Sequence, residues 1–186
     1  MRTIIIALAA ATLLPMMSGC SQNASDGAAT GQTSSRSGTL SQQLAGSAGH
    51  ARVARALDET GLAGIFAGKD SYTLFAPDDD SLARLEAGSK EGKLDGEQAR
   101  AALAALLREH IVPGTITTRD IGAAIDKAGN GKVEMRTMGE GEIVFSRKDK
   151  AIIATTADGA TATLGADAVT AGASAAIPIA GVLKKG

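Results

Sequence analysis

At Asn130-Gly131 the period of the apolar residues changes, and that change limits the folds open to this chain more than any other feature of its sequence. Before it, apolar residues recur at helical spacing behind helix-capping patterns. Thr39 with Gln42 forms a capping box, and Leu40, Leu44, Val53, Ala54 and Leu57 follow before Gly61; Gly46 and Gly49 divide this stretch into two short helices. Leu62 to Lys69 adds a helical turn. Asp95 and Gln98 repeat the capping pattern ahead of a helix over Glu97 to Glu109, which turns Leu103, Leu106, Leu107 and His110 to one side, and Ile111-Val112-Pro113-Gly114 ends it in a turn. Thr117 and Asp120 start a last helix through Ile121 and Ile125. After Gly131 the period is two. Val133 to Met138, Glu142 to Ser146, Ala151 to Thr156 and Ala160 to Leu164 are strand-prone runs separated by turns such as Asp158-Gly159, and Val169 and Ile177 to Leu183 supply the last strands. Helices first and strands last argue for an α+β domain rather than alternating βαβ units.

One strand breaks that order. Tyr72-Thr73-Leu74-Phe75-Ala76 favours extended backbone, because its aromatic and β-branched residues fit a pleated surface and Ala76 precedes a proline. Pro77 ends the strand, Asp78 is placed to cap a helix, and Asp79 and Asp80 fall in the first turn beside the positive end of the helix dipole. That helix carries Leu82 and Leu85 inward and stops near Gly88, where a polar loop to Gly96 begins.

Composition narrows the classes of partner. With 44% apolar residues the chain can bury a core, yet aromatics are only 2% and Trp is absent, so the core is aliphatic packing of Ala, Val, Ile and Leu. Nineteen Lys and Arg against 20 Asp and Glu leave a net charge of −1, which offers none of the basic excess that nucleic-acid binding needs. The single cysteine, Cys20, excludes an internal disulfide and a cysteine metal cluster.

The position of Cys20 carries more than its number. Arg2 gives a short positive region, Ile4 to Leu14 an apolar run too short to span a bilayer, and Ser18-Gly19 put small residues just before the cysteine. This predicts a cleavable export signal over residues 1–19. The ending Met17-Ser18-Gly19-Cys20 resembles the bacterial lipoprotein signal, which implies that Cys20 becomes the lipidated first residue of the mature protein; the alternatives are an ordinary secretory leader with a chance cysteine and a buried Cys in a short helix. Several acyl chains would anchor the protein stably where one would hold it only marginally. Ser21 after the cysteine resembles lipoproteins sorted to the outer membrane, facing the periplasm or the exterior. Residues 20–38 are polar and small, too poor in apolar surface to repay the entropy of ordering, and read as a tether of roughly 25 Å. Residues 39–186 read as one domain.

Two segments then point to a family. Thr73-Leu74-Phe75-Ala76-Pro77-Asp78-Asp79-Asp80-Ser81-Leu82 is similar to the first signature of the fasciclin domain, a Thr-x-Phe-Ala-Pro opening followed by a polar pair and a helix. Leu106 to Gly114 resembles the family's middle segment, a Tyr-His pair before Val-Pro-Gly, with His110 matching and Glu109 in the place of the tyrosine. The hairpin region with Gly159 and the closing Ile179-Ala180-Gly181-Val182-Leu183 follow the family's order, so the resemblance runs from Thr39 to Leu183. It implies N-terminal short helices packed on a wedge-shaped, mostly antiparallel β-sandwich. It also marks Thr73, Phe75, Ala76, Pro77, His110, Pro113, Gly114, Val182 and Leu183 as signature positions, structural or interacting. The last signature departs from the family: Ala173-Ser174 stands for Asn-Gly, Ile177 for a histidine and Ala180 for an aspartate, and Pro178 cannot donate to a ladder.

Sites of chemistry are weak by comparison. Asp78-Asp79-Asp80 lacks the EF-hand glycine at its sixth position, which is Ala83, and the glutamate at its twelfth, which is Ser89, so capping accounts for it better than calcium. His110 on an apolar face fits a core histidine holding a backbone carbonyl, and His50 has no ligand neighbour at metal spacing. Gly172-Ala173-Ser174-Ala175-Ala176 only approaches a nucleophile elbow, with no histidine after Ser174. Gly129-Asn130-Gly131 and Gly139-Glu140-Gly141 lack the third glycine of a dinucleotide loop and read as turns. The expectation is a non-enzymatic, envelope-anchored binding module without metal or cofactor. Its partners are the membrane, through Cys20, and a protein or matrix component. An envelope carrier of a small apolar or sugar ligand is the alternative, and a hydrolase using Ser174 or His110 the least favoured reading.

Overall fold

In the computed structural model the described residues are 34–35, 38–88 and 96–185. The export signal, Cys20, most of the tether, the loop after Gly88 and the Asp95 cap lie outside them. Helices come first: α1 (Leu40–Ala45), α2 (Ala51–Thr60) and α3 (Ala63–Phe66). The Thr39–Gln42 capping box forms as expected, with both of its reciprocal hydrogen bonds. Strand β2 (Tyr72–Pro77) leads directly into α4 (Asp79–Gly88), and α5 (Glu97–Arg108) starts from Gly96. The last helix, α6 (Thr118–Lys127), is opened by a second capping box between Thr117 and Asp120.

The strands are β1 (Ser34–Ser35), β2, β3 (Ile111–Pro113), β4 (Lys132–Arg136), β5 (Glu142–Lys148), β6 (Ala151–Thr156), β7 (Thr161–Leu164), β8 (Val169–Ala171) and β9 (Ser174–Ala180). They form one mixed sheet in the order β1-β8-β9-β7-β6-β5-β4, with β2 joined in parallel to β9 and β3 antiparallel to β2. Three details differ from the sequence-based expectation. Ser34 and Ser35, inside the segment read as tether, pair in parallel with Val169 and Thr170, at an edge of β8 opposite β9. Ile111–Pro113 is a strand, not a turn, because the adjacent β2 offers it a ladder at Leu74, Thr73 and Tyr72. The final strand spans Ser174–Ala180 and stops before Gly181.

Two cores lie on opposite sides of the central strands, and the side-chain alternation of β2 sorts residues between them. Leu74 and Ala76 face a helical core with Leu44, Leu57 and Leu107, while Phe75 faces a second core with Ile143, Phe145 and Ile177. Strands β2 and β9 are therefore buried on both faces, as a parallel pair requires. The second core is enclosed because the sheet curls back on itself. Beyond β4, Met138 N–H donates to Ile111 O at 2.7 Å, which brings the β4 end against β3. Helix α6 adds Ile121 and Ile125 to that core.

Pro178 sits inside β9 without breaking it. The carbonyl of Ile179 faces β2, accepting from Asp78 N–H, and that of Pro178 faces the other edge, accepting from Gly165 N–H. On that second edge β8 pairs only up to Ala176 and β7 only from Ile179. The missing N–H of Pro178 thus falls in the gap between two partner strands, where no ladder bond is lost.

Candidate functional site

The signature positions, spread over more than a hundred residues of sequence, meet around β2. Thr73 is fully buried, and its hydroxyl donates to Gly114 O at 2.7 Å while accepting from Ile116 N–H at 2.8 Å, so the turn after β3 is bound to the first strand. Pro113 lies opposite Tyr72 with its ring exposed, and Gly114 N–H returns to Ser71 O. One residue pair further in, Phe75 N–H donates to His110 O at 2.8 Å.

His110 connects all three segments. Its side chain is fully buried; Nδ1 lies 2.9 Å from Leu106 O and Nε2 lies 2.9 Å from Leu183 N. The first partner only accepts and the second only donates, which forces the neutral tautomer with the proton on Nδ1. Burial pulls the imidazole down from 6.5 to about 4, against the opposing pull of Leu106 O and Glu109. The core-histidine reading of His110 matches this geometry. Ala76 and Pro77 are buried, Val182 is half-buried and Leu183 is in the second core.

At the strand-to-helix corner Asp78 does more than cap α4. Its carboxylate accepts from Ser81 N–H at 2.7 Å, from the Ser81 hydroxyl at 2.8 Å and from Gly181 N–H at 3.2 Å. Burial alone would raise this carboxyl; the bonds from Ser81 and Gly181 and the nearby Arg84 outweigh it and hold Asp78 below its ordinary range. Asp79 turns away from its own helix and caps another: Arg52 N–H, in the first turn of α2, donates to it at 2.8 Å. His50, at the N-cap position of α2, makes no cap bond of its own. Gly181 must stay bare. At φ +123° a Cβ there would lie 2.8 Å from Thr161 O.

Three contacts were not readable from local sequence. The Glu109 carboxylate, where the family has tyrosine, accepts from the Thr137 hydroxyl at 2.9 Å and from Glu140 N–H at 3.2 Å. It is cradled by Gly139 and Gly141, where an added Cβ would come within 2.3 and 2.1 Å of it. The Gly-Glu-Gly turn is thus a seat for a side chain from another element. Ser174, the candidate nucleophile, is buried, and its hydroxyl oxygen accepts from Tyr72 N–H at 3.2 Å. The Thr115 hydroxyl fastens the same corner by donating to Ala173 O.

A groove of about 710 Å³ lies beside α6, lined by Thr118, Arg119, Asp126, Arg147, Lys150, Ile152 and neighbours. Arg147 crosses it to Asp126 at 3.0 Å. Among the described residues no cluster of three or more His, Cys, Asp or Glu is placed to hold a metal ion.

This arrangement agrees with sequence comparison: the family model described as Fasciclin domain matches residues 48–183. The chain belongs to the fasciclin domain family. The match begins at Ala48, so the Thr39–Gln42 capping box and α1 precede it. A solved structure described as a FAS1 domain pair from the insect cell adhesion molecule Fasciclin I is similar in fold, with a TM-score of 0.54 at 17% identity. The similarity covers 73% of this chain and 45% of that one, so the chain spans less than half of the domain pair. No curated protein matches. Fasciclin domains occur in adhesion-related proteins, which is consistent with a binding module.

Proposed function

We propose that this fasciclin domain is a non-enzymatic binding module of a bacterial cell envelope, held at the outer membrane through lipid on Cys20 and making adhesive contact with a protein or matrix component. The observation that carries the reading is the state of the two residues on which hydrolysis would depend. Both ring nitrogens of His110 are engaged by backbone groups inside the core, and the Ser174 hydroxyl is buried and turned to Tyr72 N–H, so neither side chain is open to a substrate. Membership of a family known in adhesion-related proteins, and a structural relative described as a cell adhesion molecule, support the contact function. The Cys20 signal supports the anchor.

Cys20→Ala should move the chain from the membrane fraction to the soluble fraction, and continued membrane retention contradicts the anchor. The released Cys20→Ala chain should bind immobilised envelope or matrix components saturably and show no turnover on ester, amide and glycoside substrates. Turnover that disappears in Ser174→Ala or His110→Ala would replace the binding reading with an enzymatic one. A second reading, carriage of a small ligand, is favoured only by the groove beside α6. Its charged and hydroxyl-bearing wall suits a sugar better than an apolar molecule.

A further inference from the structure

Past the end of β9 the chain runs on from Gly181 to Lys185 outside any ladder, and its alternate N–H groups are all received by side chains. Gly181 N–H goes to Asp78 Oδ2 at 3.2 Å, Leu183 N–H to His110 Nε2 at 2.9 Å and Lys185 N–H to Asp158 Oδ2 at 3.0 Å. The three acceptors come from three separate elements: the α4 corner, the end of α5 and the β6–β7 turn. Protonation weakens or removes each of these acceptors. A carboxylate that gains a proton becomes a weaker acceptor, and an imidazole protonated on Nε2 sets a donor against a donor. Between the outer two pins, Leu183 is 1% exposed and closes the second core.

We propose that residues Gly181 to Lys185 form an acid-released strap: proton uptake at His110 frees Leu183 from the core while the sheet stays folded. Among the described residues, charged groups stand at three points along it. Glu109 stands beside the imidazole but is turned into the Gly139–Gly141 seat; Arg84 of α4 lies near Asp78; Lys184 of the strap pairs with Asp158 at 3.6 Å. Strands β2 and β3, which flank His110, carry no acidic or basic side chain. His110 is the first of the three to respond as pH falls, because the two aspartates are held below their ordinary range by their hydrogen bonds. With the strap shut His110 titrates at about 4, against 6.5 for a free imidazole. If opening restores the free value, the opening constant rises about 100-fold between pH 7 and pH 4.

Hydrogen exchange on the full chain, corrected for the intrinsic pH dependence of exchange, reads this directly. Protection of Leu183 N–H should fall by about 100-fold from pH 7 to pH 4, while Phe145 in β5 keeps its protection. The proposal is overturned if Leu183 stays protected across that range, or if Leu183 and Phe145 lose protection together. His110→Gln offers a carboxamide oxygen that accepts without titrating; it should flatten the Leu183 profile, and an undiminished response would overturn the proposal. Should that variant not fold, the wild-type profile alone decides.

Discussion

The rings of Phe75 and Phe145 lie 5.2 Å apart, centroid to centroid, although β9, β7 and β6 separate their strands in the sheet. Such a contact is possible only because the sheet folds over and brings two distant strands face to face. Phe75 is therefore the point where the first signature segment meets the closed core. With only three phenylalanines in the chain, no other large ring can take its place there.

Phe75→Ala should cost about 3 to 5 kcal/mol, a large share of the 5 to 15 kcal/mol typical of a domain. Chemical denaturation of the variant checks it. A loss below about 1 kcal/mol would mean that the ring is not buried between the two layers.

The Glu109 seat predicts coupling between residues 32 positions apart. Gly141→Ala should push the carboxylate out and forfeit its bonds to Thr137 and Glu140, as Glu109→Ala does; each change should cost about 1 kcal/mol. The double variant should be little worse than either single one. Additive losses in a double-mutant cycle would show that the glycines and Glu109 do not act together.

Asp158 predicts an acid limb of stability. It accepts from Lys185 N–H, the Thr156 hydroxyl and Ala160 N–H, and these bonds hold its carboxyl well below the usual 3.8. Because the folded value is depressed, its contribution is present above the unfolded value and is lost as pH falls below about 4. Asp158→Asn should lower stability at pH 7 and reduce the loss between pH 4 and pH 2, measured by urea unfolding at each pH. An unchanged acid limb would count against these bonds.

The sequence made the corner at Pro77 and both capping boxes legible because their chemistry is local: a proline, an aspartate and a polar residue three positions on suffice. What it hid was decided by partners far away. Ile111–Pro113 reads as a turn until β2 supplies its ladder. Ala175 and Ala176 carry little strand signal, yet they are small because β9 is buried on both faces. Asp79 looks like part of its own helix, but its oxygen caps α2, 27 residues earlier. The signature residues Thr73 and His110 were visible as positions; that they hold each other's segments became clear only when Gly114, Phe75 and Leu183 were placed beside them. The lost polar residues of the last signature cost the fold little, since Ile177 fills the second core and Ala180 lies exposed at the strand end.

The central relationship is that one neutral, buried imidazole ties the middle signature to the last. Nitrogen NMR of the full chain, with the His110 ring followed from pH 8 to pH 3.5, tests it most directly. The structure predicts a neutral ring protonated on Nδ1 that titrates at about 4, and a scalar coupling across the hydrogen bond from Leu183 N to His110 Nε2. A ring that titrates near 6.5 with no such coupling would contradict it.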